Sequence, residues 1–320
     1  MPTKYAVLVN LDANNGRAAR RWESIAAEVA LRLPPGTRVI SFHPPTDLKP
    51  ILKALLQEGV QGFVSAGGDG SANFLLNLLL RETGEDARPL ILGGIGLGSS
   101  NDFIKPKQHF LQGLPTRLET QTASLVDVGK AEFRDTSGEW KVQYFIANAS
   151  LGVTAEANWF FNHGDWFVQF TKDRWTDLAI VYAALRTIMR FKNFQAILAF
   201  EREVLETKLS NLAVLKSPYV SGSFHFDDPV QRDDGFFGLN ACLDMKKTEL
   251  LGVLAGLAKG HFRGRPKTLS IAKKRAVGAN ANTGSPGNGR RGFSNHRSSV
   301  FCDPPSDHPP GTIKKLPYIN

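Results

Sequence analysis

A chain of 320 residues and 35.1 kDa suits two domains, and 42% hydrophobic with 22% charged residues describes a globular sequence with a sizeable core. Two cysteines, Cys242 and Cys302, exclude a disulfide framework, and no run nears the roughly 18 apolar residues of a spanning helix. Thirty-nine basic against thirty acidic residues leave a formal charge of +9, which favours an anionic partner (nucleotide, nucleic acid or an acidic membrane surface), with solubility alone as the competing account.

The chain opens Met-Pro-Thr-Lys without a signal-peptide layout, so a cytoplasmic location is expected. Tyr5–Val9 is a strand-like apolar run, followed by the turn signal Asn14-Asn15-Gly16. Ala19, Trp22, Ile25, Ala26, Val29 and Leu33 recur at helical spacing. Arg38–Phe42 reads as a strand, 47–58 as a second helix, Gly62–Ala66 as a third strand, 72–82 as a Leu-rich helix and Leu90–Leu92 as a fourth strand. This alternation predicts an α/β domain at about 1–124 with a parallel sheet.

The texture changes beyond residue 124. Val142–Ala147, Ala196–Glu201, Leu209–Val214 and Phe237–Leu243 read as strands, and only 174–190 and 247–259 read as helices. The stretch 178–191 is apolar but broken by Arg186 and Arg190. A β-rich, sandwich-like second domain is expected at 125–277. Residues 278–320 are dense in Gly, Pro, Asn and Ser, contain no Glu and follow no period, which predicts a disordered tail.

Two glycine-rich loops carry the chemistry. Ser65-Ala66-Gly67-Gly68-Asp69-Gly70-Ser71 lies where the third strand ends and a helix begins. Ligands of parallel sheets bind beyond the carboxyl ends of the strands, where a helix start offers N–H donors and a positive dipole end. Asp69 would repel a phosphate, but it suits a site that holds Mg²⁺ or takes a proton from an attacking hydroxyl. A tight turn with Asp or Ser as helix cap is the alternative. The second loop, Gly93-Gly94-Ile95-Gly96-Leu97-Gly98-Ser99-Ser100-Asn101-Asp102-Phe103, follows the next strand, so both open on one edge of the sheet. Neither is a Walker loop, and the Gly94/Gly96 pair meets Ser99 where a dinucleotide fingerprint needs its third glycine.

Gly67-Gly68-Asp69-Gly70-Ser71 followed by Leu97-Gly98-Ser99-Ser100-Asn101-Asp102-Phe103 resembles the diacylglycerol kinase and sphingosine kinase catalytic family, including its bacterial lipid-kinase branch. Val7-Leu8-Val9-Asn10, Val126-Asp127-Val128-Gly129-Lys130, Tyr144–Asn148 with Ser150-Leu151-Gly152, and Asp233-Asp234-Gly235 resemble further blocks of that family in the same order, covering residues 5 to about 277. The glycine loops alone also admit NAD kinases and phosphofructokinases.

The resemblance implies ATP as phosphoryl donor, Mg²⁺, and a lipid hydroxyl such as that of diacylglycerol as acceptor. Asn10 would touch the nucleotide. Gly67, Gly68, Asp69, Gly70, Ser71 and Asn73 would wrap its phosphates, with Asp69 central to catalysis. Gly98 and Ser99, the latter standing for the usual Thr, would add a backbone approach and a hydroxyl donor, and Asn101 and Asp102 would organise the pocket. Asp234 with the carbonyls of Gln231 and Phe236 matches a Mg²⁺ site of the bacterial branch, although Asp233-Asp234-Gly235 by itself reads as a hairpin turn.

The family's terminal Asp-Gly-Glu, which supplies the proton acceptor in bacterial members, is missing after residue 277. Codons for Pro286 to Gly292, read one nucleotide later, can spell Pro-Glu-Thr-Asp-Gly-Glu-Val, so a frameshift near residue 278 is one expectation and a natural divergent tail the other. With that Glu absent, Asp69 is the base that the motifs offer.

Other clusters are weaker. The seven histidines form no metal or triad pattern; His163 near Asp165 and His225 near Asp227 are at most surface partners. Trp159, Phe160, Phe161, Trp166, Phe167 and Phe170 read as domain core more readily than as an acyl cleft or bilayer face. The basic stretch Lys259 to Arg275 suits either a solvated loop or anionic lipid, and no nucleic-acid reading motif accompanies it. The expected function is an ATP-dependent lipid kinase working peripherally at an anionic membrane, with a homodimer left open. An NAD kinase-type soluble-metabolite kinase and a non-catalytic nucleotide sensor are the alternatives.

Overall fold

The computed structural model describes residues 3–84, 90–119, 121, 123–135, 137–200, 203–274, 277–281, 300–302 and 314–318. It divides into two compact units. The first comprises 1–128, 221–223 and 314–320; the second comprises 129–220 and 224–313.

In the first unit, β1 (Lys4–Asn10), β2 (Arg38–Phe42), β3 (Val60–Gly67) and β4 (Ile91–Gly96) are parallel and lie in the order β2-β1-β3-β4. β1 and β3 sit inside the sheet, and their apolar runs are buried almost without interruption, as expected for strands covered on both faces. Helix α1 (Arg17–Arg32) buries Ala18, Trp22, Ile25 and Val29 along one stripe. Each such large apolar side chain contributes about 1.5–3 kcal/mol. Helix α2 (Lys49–Gln57) buries Leu52 and Leu55, and α3 (Asp69–Thr83) buries Leu75, Leu76, Leu79 and Leu80. The chain leaves β1 toward β2 on one side, and β3 and β4 build on the other. The β1/β3 boundary is therefore a topological switch point, where parallel sheets open a crevice at their carboxyl ends. A hairpin, β5 (His109–Leu111) with β6 (Leu114–Arg117), folds back on β4.

β4 runs on to Gly96, four residues beyond the strand that the sequence predicts, so Gly93 to Gly96 are strand rather than loop. Close packing explains the glycines. A Cβ on Gly94 would lie 2.4 Å from Cε2 of Phe103, and one on Gly96 would lie 2.9 Å from Cγ of Asn101.

Strand β7 (Ser124–Arg134) contributes its first half to this unit, and from Gly129 onward belongs to the second. There it pairs with β8 (Trp140–Phe145), and β9 (Asn148–Gly152) follows. Helices α4 (Val153–His163), α5 (Trp166–Arg174) and α6 (Thr176–Arg190) come next. β10 (Phe194–Phe200) and the long β11 (Glu203–Leu215) form an antiparallel pair. β12 (Tyr219–Val220) and β13 (Phe224–His225) make a small ribbon. β14 (Phe237–Leu243), α7 (Lys247–Leu257) and β15 (Thr268–Lys274) complete this stretch. β11 alternates its faces: Leu212 and Val214 pack with Leu198, Phe237 and Leu239, while Ala213 and Leu215 pack with Ile180 and Ile188 of α6 and Leu250, Val253 and Leu257 of α7. The unit is an antiparallel sheet with helices on one face. Cys242 is buried there, and its burial pushes the thiol up to about 12.

Two expectations need correction. The aromatic segment 159–170, read as core, forms α4 and α5, two helices that the sequence did not reveal. Trp159, Trp166 and Phe170 are exposed, Trp166 to 76%, whereas Val168 is buried. Aromatics on every side of these helices hide the period. The second correction concerns the tail. Val277–Ala281 (β16) pairs with β10, Val300–Cys302 (β17) with β16, and Lys314–Tyr318 (β18) with β7 and β4. Backbone ladders satisfy these segments without any hydrophobic period, so composition conceals them. The remainder of 278–320, including the stretch whose shifted codons spell Asp-Gly-Glu, lies outside the described residues. Among the described residues no helix is long and apolar enough to cross a membrane.

Candidate active site

The carboxyl ends of β1, β3 and β4 converge in the first unit. Asn10 ends β1. Its Nδ2 donates to Ser71 Oγ at 2.8 Å, and its Oδ1 accepts from the Asp12 amide at 3.1 Å, holding the loop that follows. β3 ends at Gly67, whose carbonyl accepts from the amides of Leu97 (2.9 Å) and Gly98 (3.1 Å), so the first glycine loop is stitched to the second. Gly68 is extended and caps α3; its carbonyl accepts from Ser71 and Ala72. The amides of Asp69 and Gly70 at the helix start have no intrahelical acceptor and sit at the positive end of its dipole.

The second loop is set by Asn101, which is buried and left-handed at φ 53°. Asn tolerates that conformation better than most residues. Its Oδ1 accepts from the Gly98 amide at 3.0 Å while Nδ2 donates to the carbonyls of Gly98 (3.1 Å) and Gly96 (3.4 Å). Ser99 is exposed at the tip, where its hydroxyl can meet a ligand. Arg21 of α1 braces the loop from outside, donating to the carbonyls of Leu97 (3.0 Å) and Gly98 (3.3 Å).

Two carboxylates face this junction. Asp69 Oδ1 accepts from the Phe103 amide at 2.9 Å. Burial pushes the Asp69 carboxyl up to about 6, the Asp102 charge pushes the same way, and the Phe103 amide and Lys105 ammonium pull it down. Asp102 Oδ1 accepts from Lys105 Nζ at 2.6 Å, and both its oxygens accept from the Gly222 amide at 3.2 and 3.3 Å. The Lys105 ammonium also donates to the Gly222 carbonyl. Asp102 and Lys105 are both buried, and Arg117 holds the turn behind them by donating to the carbonyls of Ile104 and Lys105. The arrangement offers a helix start and paired glycine loops for phosphate, beside a carboxylate whose affinity for a proton is raised by burial.

The sequence-derived residues Asn10, Gly67, Gly68, Asp69, Gly70, Ser71, Gly98, Asn101 and Asp102 thus meet at one junction. Asn73 lies one turn into α3 and accepts from Asn77 Nδ2 through its carbonyl (2.8 Å) and Oδ1 (3.3 Å). Arg21 and Lys105 were not singled out in the sequence. The i, i+3 spacing of Asp102 and Lys105 was the available signal for the latter.

Gln231, Asp234 and Phe236 belong to the second unit. There Asp234 Oδ1 and the Phe236 carbonyl accept from the ammonium of Lys216 at 3.1 and 2.7 Å, so this donor set does not fit a divalent cation. Among the described residues no group of three or more His, Cys, Asp or Glu is placed to hold a metal ion. His163 pairs with the Trp159 carbonyl rather than with Asp165, and Asp227 accepts amides of Phe262 and Arg263.

No curated protein matches the chain. Its fold is similar to that of a crystal structure from Bacillus anthracis str. Sterne assigned as a diacylglycerol kinase, with TM-score 0.64, 19% identity, and coverage of 93% of this chain and 91% of the other. A crystal structure of a diacylglycerol kinase from the same organism gives TM-score 0.61 at 16% identity, covering 93% and 92%. Residues 4–132 match the family model described as the diacylglycerol kinase catalytic domain, and these residues contain both glycine loops, Asp69 and Asp102. What these comparisons establish is similarity: residues 4–132 resemble the diacylglycerol kinase catalytic domain, and the whole chain shares its fold with the two crystal structures.

Proposed function

We propose that this protein is a kinase that transfers the γ-phosphoryl group of Mg-ATP to the hydroxyl of a membrane lipid, diacylglycerol or a relative. The observation that carries the reading is the convergence of Gly68, Gly98 and Asp69 at the β1/β3 switch point. The Asp69 and Gly70 amides and the Ser99 hydroxyl are the donors for phosphate oxygens, and the Mg²⁺ that arrives with the nucleotide neutralises part of their charge. The Asp69 carboxylate accepts the proton of the lipid hydroxyl as its oxygen bonds to the γ-phosphorus, and the bond to the β-phosphate oxygen breaks to release ADP. Asp102, neutralised by Lys105, keeps the second loop in place.

An anionic bilayer is the proposed location of the acceptor. Helix α6 buries Ala179, Ala183, Ala184, Thr187 and Ile188 but exposes Leu178, Val181, Leu185 and Met189 along a second stripe, with Arg190 and Lys192 exposed just beyond. Apolar side chains bordered by Trp and basic residues suit the headgroup level.

The test is incubation of the chain with Mg²⁺, γ-labelled ATP and vesicles containing diacylglycerol, followed by separation of the lipids. Label in a lipid phosphate is expected. A second chain, carrying the one-nucleotide-shifted sequence from residue 278, is assayed beside it. Activity of the shifted chain alone would assign proton acceptance to its restored Glu instead of Asp69. Label in NADP, or nucleotide binding with no turnover by either chain, would replace the lipid kinase reading.

A further inference from the structure

Lys216 follows the last residue of β11, and its side chain has no solvent exposure. Lysine is rarely buried completely unless its charge is answered. Here the backbone amides of Lys216 and Ser217 both donate to the Ala147 carbonyl, at 2.8 and 2.9 Å, which fixes the root of the side chain. The ammonium then reaches the turn before β14, where Asp234 Oδ1 and the Phe236 carbonyl receive it. The same Asp234 Oδ1 accepts from the Phe236 amide at 3.0 Å, and Gly235 between them is left-handed at φ 76°. This turn is an Asx-type loop closed around a cation, and the cation belongs to the protein.

A hard divalent ion would use the same oxygens. Magnesium sits at about 2.0–2.1 Å from carboxylate and carbonyl oxygens and calcium at about 2.3–2.6 Å. Asp234 and Phe236 supply two of the three oxygens that the resemblance assigns to such an ion. Both are engaged by Lys216, and a second cation drawing on them would be placed against a buried positive charge. An ammonium has three donors and fixed positive charge, so it can satisfy a carboxylate and a carbonyl together without any bound metal.

We infer that Lys216 takes the place of a structural divalent cation, so that the turn 231–236 is closed by an internal ammonium and the second unit folds without metal. Magnesium then enters this protein only with its nucleotide. The inference stands whether or not the chain phosphorylates lipid, because its observable is metal binding in the absence of nucleotide.

The test titrates the full-length protein with Mn²⁺ in nucleotide-free buffer and follows the free ion by electron paramagnetic resonance. No saturable site dependent on Asp234 is expected, and thermal melting should be the same in chelator and in millimolar Mg²⁺. A site that binds Mn²⁺ in the native protein and disappears in Asp234→Asn would overturn the inference. Lys216→Met supplies a second readout. Loss of the ammonium takes from Asp234 and the Phe236 carbonyl the charge that joins them, and the melting temperature should fall by roughly 10 °C. Melting unchanged from the native protein would show that the ammonium does not hold the turn and would also overturn it. Should Lys216→Met not fold, that is the same loss in its extreme form, and the Mn²⁺ titration of the native protein decides.

Discussion

Gly68 and Gly98 approach so closely that a Cβ on Gly98 would lie 2.4 Å from the Gly68 Cα and 3.2 Å from its amide nitrogen. The obstacle is backbone on both sides, so no side-chain rotation relieves it. Gly98→Ala should therefore push the two loops apart, costing about 1–3 kcal/mol of stability by overpacking and weakening nucleotide binding by about tenfold or more. Gly252→Ala in α7 is the control, since a Cβ there meets only Arg265 Nη1, at 3.9 Å, and none of the glycine-loop residues. Calorimetric titration with ATP on both variants checks the contrast. Equal affinities would mean that the close approach has no part in binding.

Asp69 links activity to pH. With its carboxyl pushed up to about 6, the base form is complete only above that value, so kcat/KM should rise with pH through about 6 and then level off. Asp69→Asn keeps the acceptor for the Phe103 amide but removes the base, and kcat should fall by about 10²–10⁴-fold. Stability should move the other way. The folded state holds the Asp69 proton more tightly than the unfolded state, so this residue lowers stability as pH rises from about 4 to about 6 and the cost is complete above that window. At pH 7 the Asn variant should be more stable, by about 1–3 kcal/mol. A pH–rate profile beside denaturant melts of both proteins measures the two effects. A variant that loses activity and stability together would point to misfolding rather than to a lost base.

The Lys105–Asp102 pair is buried on both sides, and the Lys105 charge pulls Asp69 down against the push of burial and of Asp102. Lys105→Met should therefore leave an uncompensated carboxylate and cost about 3–5 kcal/mol. In whatever protein remains folded, the acid limb of the rate profile should shift to higher pH. Combining Lys105→Met with Asp102→Asn should recover part of the stability, because the stranded charge is gone. A double-mutant cycle in denaturant gives the coupling directly. Additive losses would show that the two side chains do not act as a pair.

The parts legible in the sequence are those where one local rule governs. β1 and β3 are contiguous apolar runs because both faces are covered, and α1 carries a clean stripe from Trp22 to Val29, although the buried alanine that starts it is Ala18 and not Ala19. The glycine loops are legible because close backbone approach leaves no other residue type. Features made by distant partners were hidden. Gly94 and Gly96 read as loop because Phe103 and Asn101, which require them, come later in the chain. Lys216 reads as a charged strand terminus because its partners Asp234 and Phe236 lie eighteen and twenty residues away. β18 pairs with strands far back in the chain, so no window around Lys314 contains the reason for it.

The aromatic helices separate core from surface in a way that can be measured. Val168 is buried while its neighbours Trp166 and Phe170 are exposed, and Asp165 caps α5 by accepting from the Val168 amide at 3.1 Å. Asp165 also accepts from Tyr182 of α6, so α5 is tied down independently of its exposed rings. Replacing Trp166 and Leu185 together by Ser should thus leave the melting temperature within a few degrees of the native value, because exposed positions contribute little to folding. Binding to anionic vesicles should weaken by about tenfold or more as two interfacial apolar groups are lost. Activity on a short-chain, water-dispersed acceptor should be retained while activity on the same headgroup in vesicles falls. Cosedimentation with phosphatidylserine-containing vesicles, with the two assays beside it, makes the comparison. Unchanged vesicle binding would assign membrane contact to another surface, and the exposed Lys259, Arg263 and Lys267 would be the next to neutralise.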